Sequence, residues 1–201
     1  GRIELGCGCA AESMTSSLSI KDATAHVEWT IGGETYQLET FLHAESELGY
    51  IRLTGNRASL VKLQLVPPDY SGDLTEREDV SSSLDLQLAS LGYPKADFGK
   101  EGDTVWFRQE TNHGLEYAIV VGKNQKSECE IEWIYMIAAN LEEKDWFDQA
   151  KRKLEEATKM GFTKSFSTHA SWWESYWHKS SMTLSEFEFE KQWYRTNYLF
   201  G

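Results

Sequence analysis

Suitably spaced histidines, or a motif that carries a nucleophile or binds a nucleotide, would indicate catalysis. No two of the five histidines lie three or four residues apart, so a paired metal ligand on one helix face is absent from the sequence. The patterns G-x-S-x-G, GxxxxGK[ST] and GxGxxG are also absent, so acyl transfer and nucleotide binding have no anchor. His169 opens an aromatic segment, and we expect it to make a structural hydrogen bond. The sequence therefore predicts no catalytic residue.

Two sets of residues could hold a metal ion, and neither has the full pattern for one. Cys7 and Cys9 could supply two corners of a metal site, but a C-x-x-C pair and a nearby histidine are missing. We expect these residues and Cys129 to be buried or half-buried free thiols. Three carboxylates of the polar stretch after the two prolines could bind calcium, but they lack the glycine-centred pattern of a calcium loop. They are Asp69, Asp73 and Asp79. The sequence predicts no cofactor and no metal.

Aromatic residues concentrate at the end of the chain, where residues 169–201 hold 10 of the 26. Exposed tryptophans can stack on sugar rings. Sugar binding is therefore one candidate function for Trp172, Trp173 and Trp177. Their helical spacing distributes the rings around the axis, whereas a sugar platform needs them coplanar. Packing against another domain is the favoured role for these tryptophans, for Trp193 and for His169.

Composition narrows the range of partners. The 201 residues include 20 basic and 32 acidic side chains, a net charge of −12 at pH 7. Such a field repels phosphate backbones and anionic lipid, so we expect neither nucleic-acid nor membrane binding. No apolar run approaches the roughly 20 residues of a membrane-spanning helix.

The first 140 residues alternate between apolar and polar side chains, which is typical of strands. The glycine pair after residue 31 predicts a two-residue hairpin loop. Pro67 and Pro68 end a strand, and residues 70–83 read as a long polar loop. The predicted strands are 25–31, 35–42, 50–54, 59–66, 84–91, 104–109, 115–122 and 129–138. Strands without intervening helices indicate an antiparallel β-sandwich over residues 1–140.

After residue 140 the apolar period becomes helical. Asn140 and Glu143 form a capping pair, and Gly161 stands where a helix ends, so one helix and its connection occupy residues 141–168 and dock on the sandwich. Ser171 and Ser185 open capping patterns for two further helices in a linker over residues 169–201. The last helix has apolar side chains on more than one face, which indicates burial on more than one side.

The junction sequence HASWWESYWHKS at residues 169–180 carries a resemblance to a known family. It is followed by an alternating apolar tripeptide at 182–184 and by the aromatic helix. Together they resemble the junction of glycoside hydrolase family 95, the α-L-fucosidase and α-L-galactosidase family, and of related proteins. The hairpin at 25–41 and the strand at 50–54 are similar to the same region of those proteins.

The resemblance implies an N-terminal β-supersandwich joined by linker helices to an (α/α)6 barrel. In those families the catalytic acid and base lie in the barrel, so no catalytic residue carries over and this chain alone is expected to be inactive. The chain begins with Gly1 and carries no targeting signal, so we expect a piece of a longer protein. The resemblance implies that the longer protein is exported. The loops 69–83 and 95–103 are candidates for the rim of a sugar site.

The main hypothesis is an accessory domain of a carbohydrate-degrading hydrolase, and two alternative functions stay open. A self-contained glycan-binding module would present coplanar exposed aromatics and bind oligosaccharides. A structural or interaction domain without a sugar ligand would cover the surface of residues 172–200 by forming a homo-oligomer.

Overall fold

The computed structural model describes residues 1–6, 8, 10–70, 91–141 and 144–201. The predictions for Cys7, Cys9, Asp73, Asp79 and Glu143, for the strand at 84–91 and for most of the loop at 69–83 lie outside the described residues. The described strands are β1 (Arg2–Gly6), β2 (Ser13–Ser19), β3 (Thr24–Ile31), β4 (Glu34–Leu42), β5 (Leu48–Gly55), β6 (Lys62–Val66), β7 (Asp97–Glu101), β8 (Thr104–Glu110), β9 (Glu116–Gln125) and β10 (Glu130–Ala139). The helices that follow are α1 (Trp146–Met160), α2 (Phe162–His178) and α3 (Phe187–Tyr198).

Eight strands form one antiparallel sheet in the order β2-β3-β4-β5-β10-β9-β8-β7, and β1 pairs with β6 in a second, two-stranded sheet. The two faces of the large sheet bury separate apolar clusters, because alternate residues of each strand point to opposite sides. Helices α1 and α2 cover one cluster, and the two-stranded sheet covers the other. The fold is mainly β, and the predicted sandwich with docked helices is confirmed.

The β3–β4 hairpin follows the prediction closely. Ile31 pairs with Glu34, so Gly32 and Gly33 alone make the loop. Their φ values are 60° and 78°, which is the left-handed region that a two-residue hairpin turn of this kind requires. The glycine pair therefore fixes the register of the two strands.

Two polar edge strands were not expected from the sequence. Residues 97–101 form the edge strand β7, so the prediction of a loop over 95–103 is wrong. Strand β2 is the opposite edge of the sheet and is exposed along almost its whole length, so it has no apolar alternation to detect. The strand predicted at 59–66 begins at Lys62, because Ala58–Leu60 forms a short 3₁₀ turn.

Asn140 does not cap a helix, and its side chain instead joins two segments of the sheet. Its Oδ1 accepts a hydrogen bond from the Glu116 N–H at 2.9 Å, and its Nδ2 donates to the Gly114 carbonyl at 2.8 Å. Helix α1 begins at Trp146. It docks through Ala150, Leu154 and Ala157, all of which are buried.

Gly49 provides a test of close packing within the sheet. The side chain of Tyr135 lies across Gly49 on the neighbouring strand, and a Cβ added to Gly49 would lie 2.1 Å from a Tyr135 ring carbon. We expect Gly49→Ala to lower the free energy of unfolding by about 1–3 kcal/mol because the ring must move. Gly6→Ala is the control, since its added Cβ meets nothing within 4 Å. Equal effects of the two substitutions in urea denaturation would contradict this account.

Candidate docking surface

Helix α2 lies against the sheet through one aromatic stripe. Phe162, Phe166, His169 and Trp173 follow the i, i+4, i+7, i+11 spacing of one helix face. The ring of Phe41 on β4 is the common contact: its centroid is 5.0 Å from that of Phe162, 5.6 Å from that of Phe166 and 4.6 Å from that of His169. This stripe holds α2 on the sheet.

The side chain of His169, a residue of α2, is fully buried against two loops of the sheet. The Ala44 N–H donates to its Nδ1 at 3.2 Å, and its Nε2–H donates to the Asp22 carbonyl at 2.7 Å. The two partners fix the neutral ring with its proton on Nε2. The expected structural hydrogen bond is therefore confirmed, and burial lowers the pKa of His169.

Arg52 fixes the first turn of α2. Its guanidinium carbon lies 4.3 Å from the centroid of the Phe162 ring, and its Nε donates to a Glu39 carboxylate oxygen at 2.9 Å. A cation over an aromatic face that is also paired with a carboxylate is well placed to orient both groups. Sequence reasoning missed this pair, because Arg52 and Phe162 come together only through the fold.

Helix α3 packs on the far end of α2 through aromatic rings. The centroid of Trp173 lies 5.5 Å from that of Tyr198, and the centroid of Trp177 lies 5.7 Å from that of Tyr194. The Tyr176 O–H donates to the Asn197 carbonyl at 2.8 Å. The two helices therefore form a pair with an aromatic seam.

The connection between α2 and α3 is held by hydrogen bonds rather than by the expected caps. Ser171 lies inside α2, which begins nine residues earlier at Phe162, so the predicted helix start at Ser171 is wrong. Glu186 precedes α3 without a side-chain capping bond, so Ser185 is not the cap. Instead the Leu184 N–H donates to Glu190 Oε2 at 2.8 Å, and the Tyr194 O–H donates to the Met182 carbonyl at 3.3 Å.

Large apolar side chains on α3 and at its two ends remain exposed. Phe187 is 68% exposed and Phe189 is 70% exposed. We call the exposed set the α3 apolar surface; its members are Leu184, Phe187, Phe189, Leu199 and Phe200. Helix α3 is thus apolar on more than one side, as expected.

The five residues predicted to pack against another domain divide into two groups. His169 and Trp173 are buried within this chain, so their contacts with the sheet and with α3 are already complete. Trp172, Trp177 and Trp193 are half-buried. Of these, Trp177 donates its indole N–H to the Ile20 carbonyl at 3.1 Å and ties α2 to the start of the β2–β3 connection. Packing of the set against another domain stays a prediction.

The described residues offer no support for metal binding or for a membrane-spanning helix. Within them, no group of three or more His, Cys, Asp or Glu side chains is arranged to hold a metal ion. No helix among the same residues is long and apolar enough to cross a bilayer. Cys129 is an exposed free thiol, so the expectation that it is buried or half-buried is wrong.

Comparison with known proteins finds solved structures of similar fold but identifies no family. No protein-family profile matches the chain, and no curated protein matches it. Thirteen solved chains match by structure. One of them is a candidate kojibiose phosphorylase from the human microbiome, with a TM-score of 0.53 and 14% sequence identity over 78% of this chain. At that identity the likeness shows a shared fold.

This chain spans 22% of the length of that phosphorylase. The fold therefore occurs within a much larger carbohydrate-active enzyme. The matched protein is named as a phosphorylase, and the comparison does not support family 95 itself.

Proposed function

We propose that this chain is a non-catalytic accessory domain, placed before a helical catalytic barrel in a carbohydrate-degrading glycoside hydrolase or a related enzyme. The observation that carries the proposal is the α3 apolar surface. The domain braces the barrel through that surface. An exported location belongs to the same proposal, as does the more specific assignment to family 95 that the junction sequence suggests.

The energetics of α3 favour a covering partner. Burying one phenylalanine side chain is worth about 1.5–3 kcal/mol, so Phe187 and Phe189 leave a substantial free energy unused in this chain. Contiguous exposed apolar surface usually marks an interaction site in a soluble protein. The aromatic seam holds α3 against α2, so the exposed side chains of α3 have fixed positions.

The likeness to a solved enzyme supports a catalytic barrel of the same polypeptide as the partner. The matched phosphorylase extends well beyond the region that this chain covers. The junction sequence at 169–180 is the feature that resembles the linker between a sandwich and a barrel. These two observations are independent, since one compares backbone shape and the other compares residues.

The double substitution Phe187→Ser/Phe189→Ser tests the proposal in two molecules, the 201-residue chain and the intact polypeptide from its source. In the 201-residue chain we expect a loss below about 1 kcal/mol, because both rings are exposed there. In the intact polypeptide we expect a loss of about 3 kcal/mol or more in the unfolding of the sandwich. Chemical denaturation followed by tryptophan fluorescence measures both.

The matched control is Met14→Ser/Leu18→Ser, which removes two exposed apolar side chains from β2, outside α3. It should have a small effect in both molecules. Equal effects of the α3 substitutions in the two molecules, or an intact polypeptide of about 23 kDa, would contradict a covalent barrel partner. Heat released when millimolar oligosaccharides are titrated into the 201-residue chain would favour the glycan-binding module instead.

A further inference from the structure

Two histidines from distant parts of the sequence meet beneath α2. His43 follows β4, and His169 lies in the middle of α2; their ring centroids are 5.9 Å apart. Phe41 lies beside both rings, stacked on His169 and tilted against His43. Together the two rings tie α2 to both loops that approach it from the sheet.

Each ring is held in one neutral tautomer. His43 Nδ1 accepts from the Glu45 N–H at 3.1 Å, and its Nε2 lies 2.9 Å from Thr168 Oγ1. Because the Thr168 hydroxyl donates to the Ser165 carbonyl at 2.9 Å, it accepts from His43 Nε2–H. His169 uses its nitrogens in the same way, with a backbone N–H at Nδ1 and a carbonyl at Nε2.

In each ring the nitrogen that would take a further proton already faces a backbone donor. The proton would go to Nδ1, where it would face a backbone N–H, that of Ala44 for His169 and that of Glu45 for His43. Each protonation therefore replaces one hydrogen bond with two opposed donors. Protonation of both rings also places two like charges close together in a region of low polarity.

The charged and titratable groups that face the two rings only partly oppose this effect. Asp22 from the β2–β3 turn favours the charged form of His169, and Glu45 from the β4–β5 connection favours that of His43. Tyr50 on β5 lies beside His43 with its ring centroid 6.4 Å away. Burial is the larger influence on both histidines.

We propose that His43 and His169 form a pH-sensitive latch, which holds α2 on the sheet while both rings are neutral and loosens α2 in mild acid. Helix α3 moves with α2, because the Trp173–Tyr198 and Trp177–Tyr194 contacts join the two helices. The latch does not depend on what covers the α3 apolar surface.

The direction of the pH effect follows from the two pKa shifts. Burial lowers the pKa of both His43 and His169, so the docked form binds protons less readily than the released form. Docking is therefore strongest above the ordinary histidine pKa of about 6.5 and weakens as the pH falls below it.

Amide hydrogen exchange of the 201-residue chain at pH 7.5 and pH 5.5 tests the latch. After correction for the intrinsic exchange rate, we expect protection of the α2 amides to fall about tenfold for each histidine and about a hundredfold together. Amides of β9 and β10 should fall much less, because those strands keep their own ladder and core. Equal loss in α2 and in these strands would overturn the latch.

The variant His43→Gln/His169→Gln removes both titrating groups. Its α2 amides should show nearly the same protection at the two pH values, even if protection is lower throughout. His178→Gln is the matched control, an exposed histidine at the end of the same helix, and it should keep the hundredfold ratio. If the double variant keeps that ratio too, the latch is wrong.

A measurement on the unaltered chain covers the case in which the double variant does not fold. The carbon-bound ring protons of His43 and His169 should titrate below the ordinary range of about 6.5 in NMR spectra. The α2 amide resonances should shift or broaden over the same pH range. Titration of either ring at or above 6.5 overturns the latch.

Discussion

Phe41→Ala is expected to lower the free energy of unfolding by about 3–5 kcal/mol and to release α2 from the sheet. Phe41 is 3% exposed, and its ring stacks on that of Tyr50 with centroids 4.9 Å apart. The same ring meets Phe162, Phe166 and His169 of α2, so its removal leaves a cavity at the only aromatic contact these three helix residues share on β4.

Leu42→Ala is the control for Phe41→Ala, since it removes an apolar side chain from the next position of the same strand. Leu42 is 67% exposed on the opposite face, so its loss should change stability by no more than about 0.5 kcal/mol. Urea denaturation followed by circular dichroism measures both variants, and the exchange of α2 amides shows where the structure opens. Similar losses in the two variants would show that Phe41 does not anchor α2.

The central strands could be predicted because their environment is uniform along their length. β4, β5, β9 and β10 each place alternate residues in a core, and the two glycines after Ile31 fix a tight hairpin. The edge strands β2 and β7 carry no such alternation, because they contribute little to either core. Their pairing depends on neighbouring strands that local sequence does not encode.

The helix boundaries show where local capping patterns are too weak to decide. Gly161 ends α1 as predicted, since its N–H bonds to the Ala157 carbonyl at 2.9 Å and its φ is 79°. Helix α2 resumes at once because Phe162 and Phe166 pack on the sheet, and that contact overrides the capping pattern at Ser171. A turn of helix held by long-range packing outweighs one capping bond.

The candidate site was partly visible in the sequence. The concentration of tryptophans and the apolar second face of α3 indicated a buried junction. The aromatic spacing from Phe162 to Trp173 could have revealed the inward face of α2 as well. The pairing of His43 with His169 and of Arg52 with Phe162 could not have been found, because each joins residues more than 100 positions apart.

Trp173→Ala is expected to lower the free energy of unfolding by about 3–5 kcal/mol and to detach α3 from α2. Trp173 is 5% exposed and stands between His169 on the sheet side and Tyr198 on the α3 side, with centroid distances of 6.5 Å and 5.5 Å. Its loss opens a large cavity at the point where sheet, α2 and α3 meet. Near-ultraviolet circular dichroism should lose much of its aromatic signal, and α3 amides should exchange faster than those of α2.

Trp173→Phe separates aromatic packing from the indole N–H. The Trp173 Nε1 is buried without a hydrogen-bond partner among the described residues, so removing that donor relieves a cost of about 1–3 kcal/mol. The smaller ring gives up some packing, and the two effects should leave the variant within about 1.5 kcal/mol of the original chain. If Trp173→Phe is as damaging as Trp173→Ala, the indole N–H has a partner that holds the helices together, and packing alone does not explain the junction. If Trp173→Phe keeps α3 docked while Trp173→Ala does not, the ring contacts are what hold α3 in place to present its outer face.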